Sequence, residues 1–103
     1  MTSNKQDRLF LRHGAAKATA LLRAVGNEHR LQVLCVLIAH GELSVSELLE
    51  YVELSQSALS QHLSRMRKEG LVAFRREAQT LHYRIDNPDA EKLVAVLKTL
   101  FCP

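Results

Sequence analysis

Aromatic side chains are scarce in this chain, 5% of 103 residues against 47% hydrophobic overall. An aliphatic, aromatic-poor composition argues against a β-sandwich and for packed helices. No apolar run approaches the ~20 residues that a bilayer span requires, so no membrane partner is expected. The opening MTSNKQDRLFLRHG has neither a long uncharged stretch nor a small-residue cleavage site. It does not read as a secretion signal, and the expected compartment is the cytoplasm. There are only two cysteines, Cys35 and Cys102, and no C-x-x-C pair. The five histidines, His13, His29, His40, His62 and His82, are scattered without the spacing of metal ligands. No metal and no cofactor is therefore expected. Charge of one sign is not abundant either. The net charge is +3, which permits a nucleic-acid partner without requiring one.

The charge that is present is unevenly placed. Between residues 55 and 85 stand six cations, Arg65, Arg67, Lys68, Arg75, Arg76 and Arg84, against two acids, Glu69 and Glu77. The stretch before it carries Glu42, Glu47, Glu50 and Glu53. A solvated helix face would hold such charges too. Clustering on one helix and the segment after it points instead to a surface that faces phosphates.

Periodicity places these charges on elements. Leu11, Ala15, Ala18, Leu22 and Val25 form an apolar seam at helical spacing, predicting a first helix over residues 5–25 closed by Gly26-Asn27. A second helix is expected over 28–40, with VLCVLIA apolar on nearly every face and Gly41 ending it. Ser44-Val45-Ser46-Glu47 has the capping-box pattern and opens a third helix to residue 52. Ser55 is a good N-cap for a fourth, 56–69, which turns Ala58, Leu59, Leu63 and Met66 inward. Gln56, Ser57, Ser60, Gln61, Ser64, Arg65 and Lys68 remain outside. Two helices joined by a few residues, the second polar-faced, make a helix-turn-helix. Residues 71–76 and 80–85 read as strands, the second alternating with a period of two. Glu77-Ala78-Gln79 forms the turn without the usual glycine. Pro88 suits the first turn of a last helix ending near residue 101. The order ααααββα is a mainly α, winged helix-turn-helix fold, one DNA-binding domain over residues 1–103. Both end helices are amphipathic. They either cover their own core or meet a second copy. In a two-fold homodimer the two recognition helices would lie about 34 Å apart, matching an inverted repeat in double-stranded operator DNA.

The chain resembles the ArsR/SmtB family of bacterial winged-helix repressors in NEHRLQVLCVL (27–37), ELSVSELLEYVELSQSALSQHLSRMRKEGLV (42–72) and REAQTLHYRI (76–85). The resemblance implies a dimeric regulator that leaves DNA when an inducer binds. It places Gln56, Ser57, Ser60, Gln61 and Arg65 at bases and phosphates, where glutamine suits adenine and serine suits any base or a phosphate. Arg75, Arg76, Gln79 and Thr80 would belong to the wing, with the arginines on phosphate or in the minor groove. His62 is either a phosphate ligand or a structural histidine, since it sits in phase with the inward face. Metal-sensing members carry thiolates in a segment resembling ELCVCDL. Here Ser44 and Ser46 occupy those positions, and serine is a poor substitute with soft metals. The last helix offers Asp89 and Glu91 but no histidine. A metal-responsive repressor is thus the alternative reading.

The cysteines carry the remaining expectation. Packed, reduced thiols are the ordinary state in a cytoplasmic protein. However, a HlyU-, BigR- and YgaV-like subgroup of the family shares LSQSALSQHL, an EAQ wing and a terminus close to this chain's FCP. Its members respond to reactive sulfur species or oxidants by bridging one cysteine in the second helix and one near the C-terminus. The resemblance therefore makes Cys35 and Cys102 the expected redox-sensing pair of a repressor or counter-silencer. Against this, the aliphatic neighbours of Cys35 predict a buried, inert thiol. Arg30, five residues away, is the cation considered for activating it. A thiol-dependent redox enzyme is a further alternative, disfavoured by the missing C-x-x-C and the lack of a base beside Cys35.

Overall fold

A computed structural model describes residues 4–102. The first three residues of the amino-terminal segment, and the proline of the terminal FCP, lie outside the described residues. Helical arm, helix-turn-helix and hairpin follow one another along the chain. The arm is α1 (Lys5–Leu9), a π-helical segment (Phe10–Gly14) and α2 (Ala15–Val25). Then come α3 (Glu28–His40), β1 (Leu43–Ser44), α4 (Val45–Leu48), α5 (Gln56–Lys68), β2 (Val72–Glu77), β3 (Thr80–Ile85) and α6 (Pro88–Phe101). The strands form one antiparallel sheet in the order β1-β3-β2. This is the expected winged helix-turn-helix.

Four details differ from the sequence expectation. The first helix is interrupted by a π-turn at Phe10–Gly14, where the Phe10 ring lies so close over Gly14 that an added Cβ would meet it at 2.7 Å. Asn27 opens α3 instead of closing the first helix. Its side-chain oxygen accepts from the backbone N–H groups of His29 and Arg30, satisfying donors that a helix start leaves free. The third helix stops at Leu48 rather than reaching residue 52, and turns carry the chain on to Val52. Finally, Leu43 and Ser44 pair with Tyr83 and His82 as a third strand, too short to leave an alternating pattern.

Caps fix the ends of the element that matters most. Ser55 accepts from Ala58 N–H at the start of α5. At its other end Leu71 N–H donates to Met66 O and Gly70 N–H to Arg67 O, a Schellman arrangement that needs a left-handed residue. Gly70, with φ of 78°, supplies it. The core that seats α5 is aliphatic: Leu59, Leu63 and Met66 pack with Val33, Leu34, Leu37, Leu48 and Leu71, all essentially inaccessible. Each such side chain contributes about 1.5–3 kcal/mol of burial, enough to hold one face of a 13-residue helix in a single orientation.

Candidate nucleic-acid interface and thiol pair

With its apolar ridge inward, α5 leaves Gln56, Ser57, Ser60, Gln61 and Arg65 exposed on its outer side. Gln61, Ser64, Arg65 and Lys68 together line a shallow polar groove of about 250 Å³. The helix-turn-helix partner α4 is locked by a capping box. Ser44 N–H donates to Glu47 Oε1 at 2.9 Å, and Glu47 N–H to Ser44 Oγ at 3.2 Å. The backbone hydrogen bond from Ser44 is the main reason the Glu47 carboxyl stays below its ordinary range. Ser44 is thus accounted for as a cap, not as a ligand.

The wing is braced against the recognition helix. The Arg67 guanidinium lies 4.5 Å from the Phe74 ring centroid, and Phe74 meets Tyr83 edge-on at 5.5 Å. Such stacked contacts add roughly 0.5–1 kcal/mol each at exposed sites. Cross-strand pairing puts Ala73/Arg84, Arg75/His82 and Glu77/Thr80 on one face of the hairpin, and Val72/Ile85, Phe74/Tyr83 and Arg76/Leu81 on the other. The loop is only two residues, Ala78-Gln79, because Glu77 is still paired with Thr80. Ala78 adopts φ of 55°, the positive φ such tight loops demand, which explains how the hairpin forms without glycine at some strain.

The wing arginines differ. Arg75 donates to Glu77 Oε2 and to Glu42 Oε1, both at 2.8 Å. These two acceptors, Glu77 foremost, raise the Arg75 pKa, and the Arg75 hydrogen bond in turn lowers that of Glu77. Arg76 is exposed and forms no ion pair among the described residues. Gln79 and Thr80 are exposed at the hairpin tip. Of the wing candidates, Arg75 is therefore occupied by carboxylates, whereas Arg76, Gln79 and Thr80 are presented outward.

His62 is half-buried and falls between the two expected roles. Arg30 Nε–H donates to its Nδ1 at 3.3 Å. Burial first, then the positive charge of Arg30, His29 and Arg65, hold the imidazole below its ordinary pKa. Arg30 is not beside Cys35 in the role considered for it from the sequence. Its guanidinium turns to Ala24 O and His62, not to a thiol. The available signal was the polar Arg30 and His62 standing in otherwise apolar helix faces.

The two cysteines, 67 positions apart in sequence, line the same cavity. Cys35 on α3 and Cys102 just after α6 line one apolar cavity of about 400 Å³ with Leu31, Val94, Leu97 and Phe101. Both thiols are free. Cys35 is half-buried, not buried as its neighbours implied, because this side of α3 faces the open cavity. Among the described residues no three His, Cys, Asp or Glu side chains form a metal-ligating group, and no helix is long and apolar enough to cross a membrane.

Comparison with known proteins places this geometry. The model of the bacterial regulatory protein, arsR family, matches residues 27–73. The transcriptional activator HlyU of Vibrio cholerae is 50% identical over 88 residues, 85% of this chain and 81% of HlyU. The regulator YgaV of Escherichia coli is 43% identical over 93 residues, covering 90% of this chain and 94% of YgaV. The reduced form of V. cholerae HlyU superposes with a TM-score of 0.84 at 46% identity, over 92% of this chain and 99% of that one. The repressor BigR of Xylella fastidiosa gives 0.85 at 34% identity, over 100% and 99%. A polar-faced helix, a braced wing and these relatives agree: the chain is a transcriptional regulator of the arsR family.

Proposed function

We propose that the protein acts as a homodimer on an inverted-repeat operator, and that bridging of Cys35 and Cys102 switches its affinity. Gln56, Ser57, Ser60, Gln61 and Arg65 would read bases and phosphates, with Arg76, Gln79 and Thr80 following the backbone from the wing. Arg75 would join them only by exchanging a carboxylate for a phosphate. Dimerisation is supported by the apolar side chains left uncovered on the end helices. Leu9, Phe10, Leu11 and Leu22 on the arm, and Val96, Leu100 and Phe101 on α6, are all more than half exposed or at that limit.

The observation that carries the switch is the shared apolar cavity of the two thiols. Persulfide chemistry needs no further oxidant there. A hydropersulfide R–S–SH transfers sulfur to a cysteine, giving Cys–S–SH and R–SH. Two such cysteines then condense to a trisulfide and release hydrogen sulfide. With a peroxide instead, two thiols give a disulfide and the oxidant leaves as water. Either bridge ties the middle of α3 to the residue that follows α6, two helices that pack against each other, and closes a long loop. Closure of that size contributes about 4 kcal/mol in the chain-entropy model, against the roughly 1–3 kcal/mol typical of allosteric coupling. A strain transmitted through α6 to the dimer would change the spacing of the two α5 helices. Whether the regulator represses directly or displaces another DNA-binding protein, the site is the same.

The test is operator affinity before and after a glutathione persulfide donor, for the wild type, Cys35→Ser and Cys102→Ser. Loss of affinity in the wild type alone is expected. An unchanged wild type removes the thiol switch and leaves DNA binding standing.

A further inference from the structure

The geometry points to Arg30 as a positioning residue for DNA contact: its grip on His62 Nδ1 would present His62 Nε2–H as a neutral donor to a DNA phosphate. The inference rests on the DNA-binding reading above and adds a contact and its support to it. Arg30 is only 9% exposed, and its place is determined on three sides. Its Nη1 donates to Ala24 O at 3.3 Å in the last turn of α2 and lies 4.0 Å from Oε2 of Glu69, the residue that caps the end of α5. Its Nε donates to His62 at 3.3 Å. Arginine has donors only, so the nitrogen it addresses must be the bare one. The ring proton is therefore on Nε2. Among the described residues Nε2 has no hydrogen-bond partner, and it is not sealed from solvent.

The surroundings favour an anion over a base. Arg30, Ala58, Gln61, His62 and Arg65 line a recess of about 100 Å³ on the recognition helix. Two arginines therefore share its lining with the imidazole, and no carboxylate among the described residues does. From α3, Arg30 and His29 face the imidazole, with the His29 ring 6.2 Å away. From its own helix comes Arg65, whose charge acts on it, and from the cap of that helix Glu69, which lies against Arg30. A second positive charge on His62 would be repelled by Arg30 and would break the Nδ1 bond. The contact is thus a neutral hydrogen bond held in register by a buried cation.

His62→Asn keeps an acceptor near the Nδ1 position but loses the outward donor, whereas His62→Gln keeps a donor near Nε2. The probe is a duplex selected by the wild type from a random-sequence pool, with a scrambled duplex beside it. His62→Asn should weaken both about tenfold, within the range for hydrogen bonds to charged groups. His62→Gln should recover most of the loss. The salt dependence should stay unchanged, because no charge is removed. Ring nitrogen shifts of the wild type, which need no variant to fold, should report the Nε2–H tautomer at pH 8, where an imidazole held below its ordinary pKa is neutral. Full affinity in His62→Asn, a loss confined to the selected duplex, no rescue by glutamine, or an Nδ1–H tautomer would each overturn the inference. If the pool yields no bound duplex at all, the DNA-binding reading itself fails.

Discussion

Helix α5 and the helical arm both repeat apolar side chains at helical spacing, yet the protein treats them differently. In α5 the apolar ridge of Leu59, Leu63 and Met66 is fully covered by the rest of the same chain. What remains outside is polar and basic. In the arm only Ala24 and Val25, at its very end, are buried. Leu11, at 70% exposure, belongs to the same seam. The half built around α5 therefore has its apolar ridge covered within one chain, while the arm and α6 leave apolar side chains exposed.

The sharpest way to break that contrast is to damage the covered ridge. Leu63→Ala should cost about 2–5 kcal/mol in urea-induced unfolding, because nothing in a packed core moves in to fill the gap. Charge on the uncovered surface should act elsewhere. Leu100→Asp should leave the α5 core intact but weaken self-association at least tenfold in sedimentation equilibrium. An unaltered association constant would assign Leu100 to bare surface. Gly70→Ala forces a Cβ into left-handed backbone and should cost about 1 kcal/mol, fraying the end of α5 in amide exchange. Smallest is the wing. Glu77 is held below its ordinary pKa chiefly by the Arg75 hydrogen bond, so its contribution is present above the ordinary carboxylate range and is lost as pH falls through the folded value. Protection of the hairpin-tip amides, measured against their intrinsic exchange, should therefore fall as pH drops below the ordinary carboxylate range, and Glu77→Gln should remove that dependence. The global stability change should be slight, as for exposed ion pairs.

Much of the fold was legible because its signals are local. Ser44 with Glu47, Ser55, Gly41, Gly70 and Pro88 mark helix ends through hydrogen bonds and φ preferences that a few neighbouring residues decide. The strand 80–85 was readable from its alternation. Less was legible where the decisive partner is distant. Leu43-Ser44 becomes a strand only because β3 lies beside it. The π-turn depends on how Phe10 settles over Gly14. Asn27 reads from sequence as closing the first helix, but the open amides of His29 and Arg30 make it the start of the next.

The candidate site divides along the same line. The outward presentation of Gln56, Ser57, Ser60, Gln61 and Arg65 follows from phase on a helix, which sequence determines by itself, since 3.6 residues per turn and a known apolar ridge leave no freedom. The difference between Arg75 and Arg76 does not. It depends on Glu42 arriving from the segment just before β1, more than thirty positions away. The same holds for His62, whose proton is placed by Arg30, and for Cys35 and Cys102, which share a cavity only because α3 and α6 pack together. Local geometry is written in short-range sequence; ion pairs, tautomers and a cavity shared by two thiols are set by long-range contacts, and those exist only once the chain has folded.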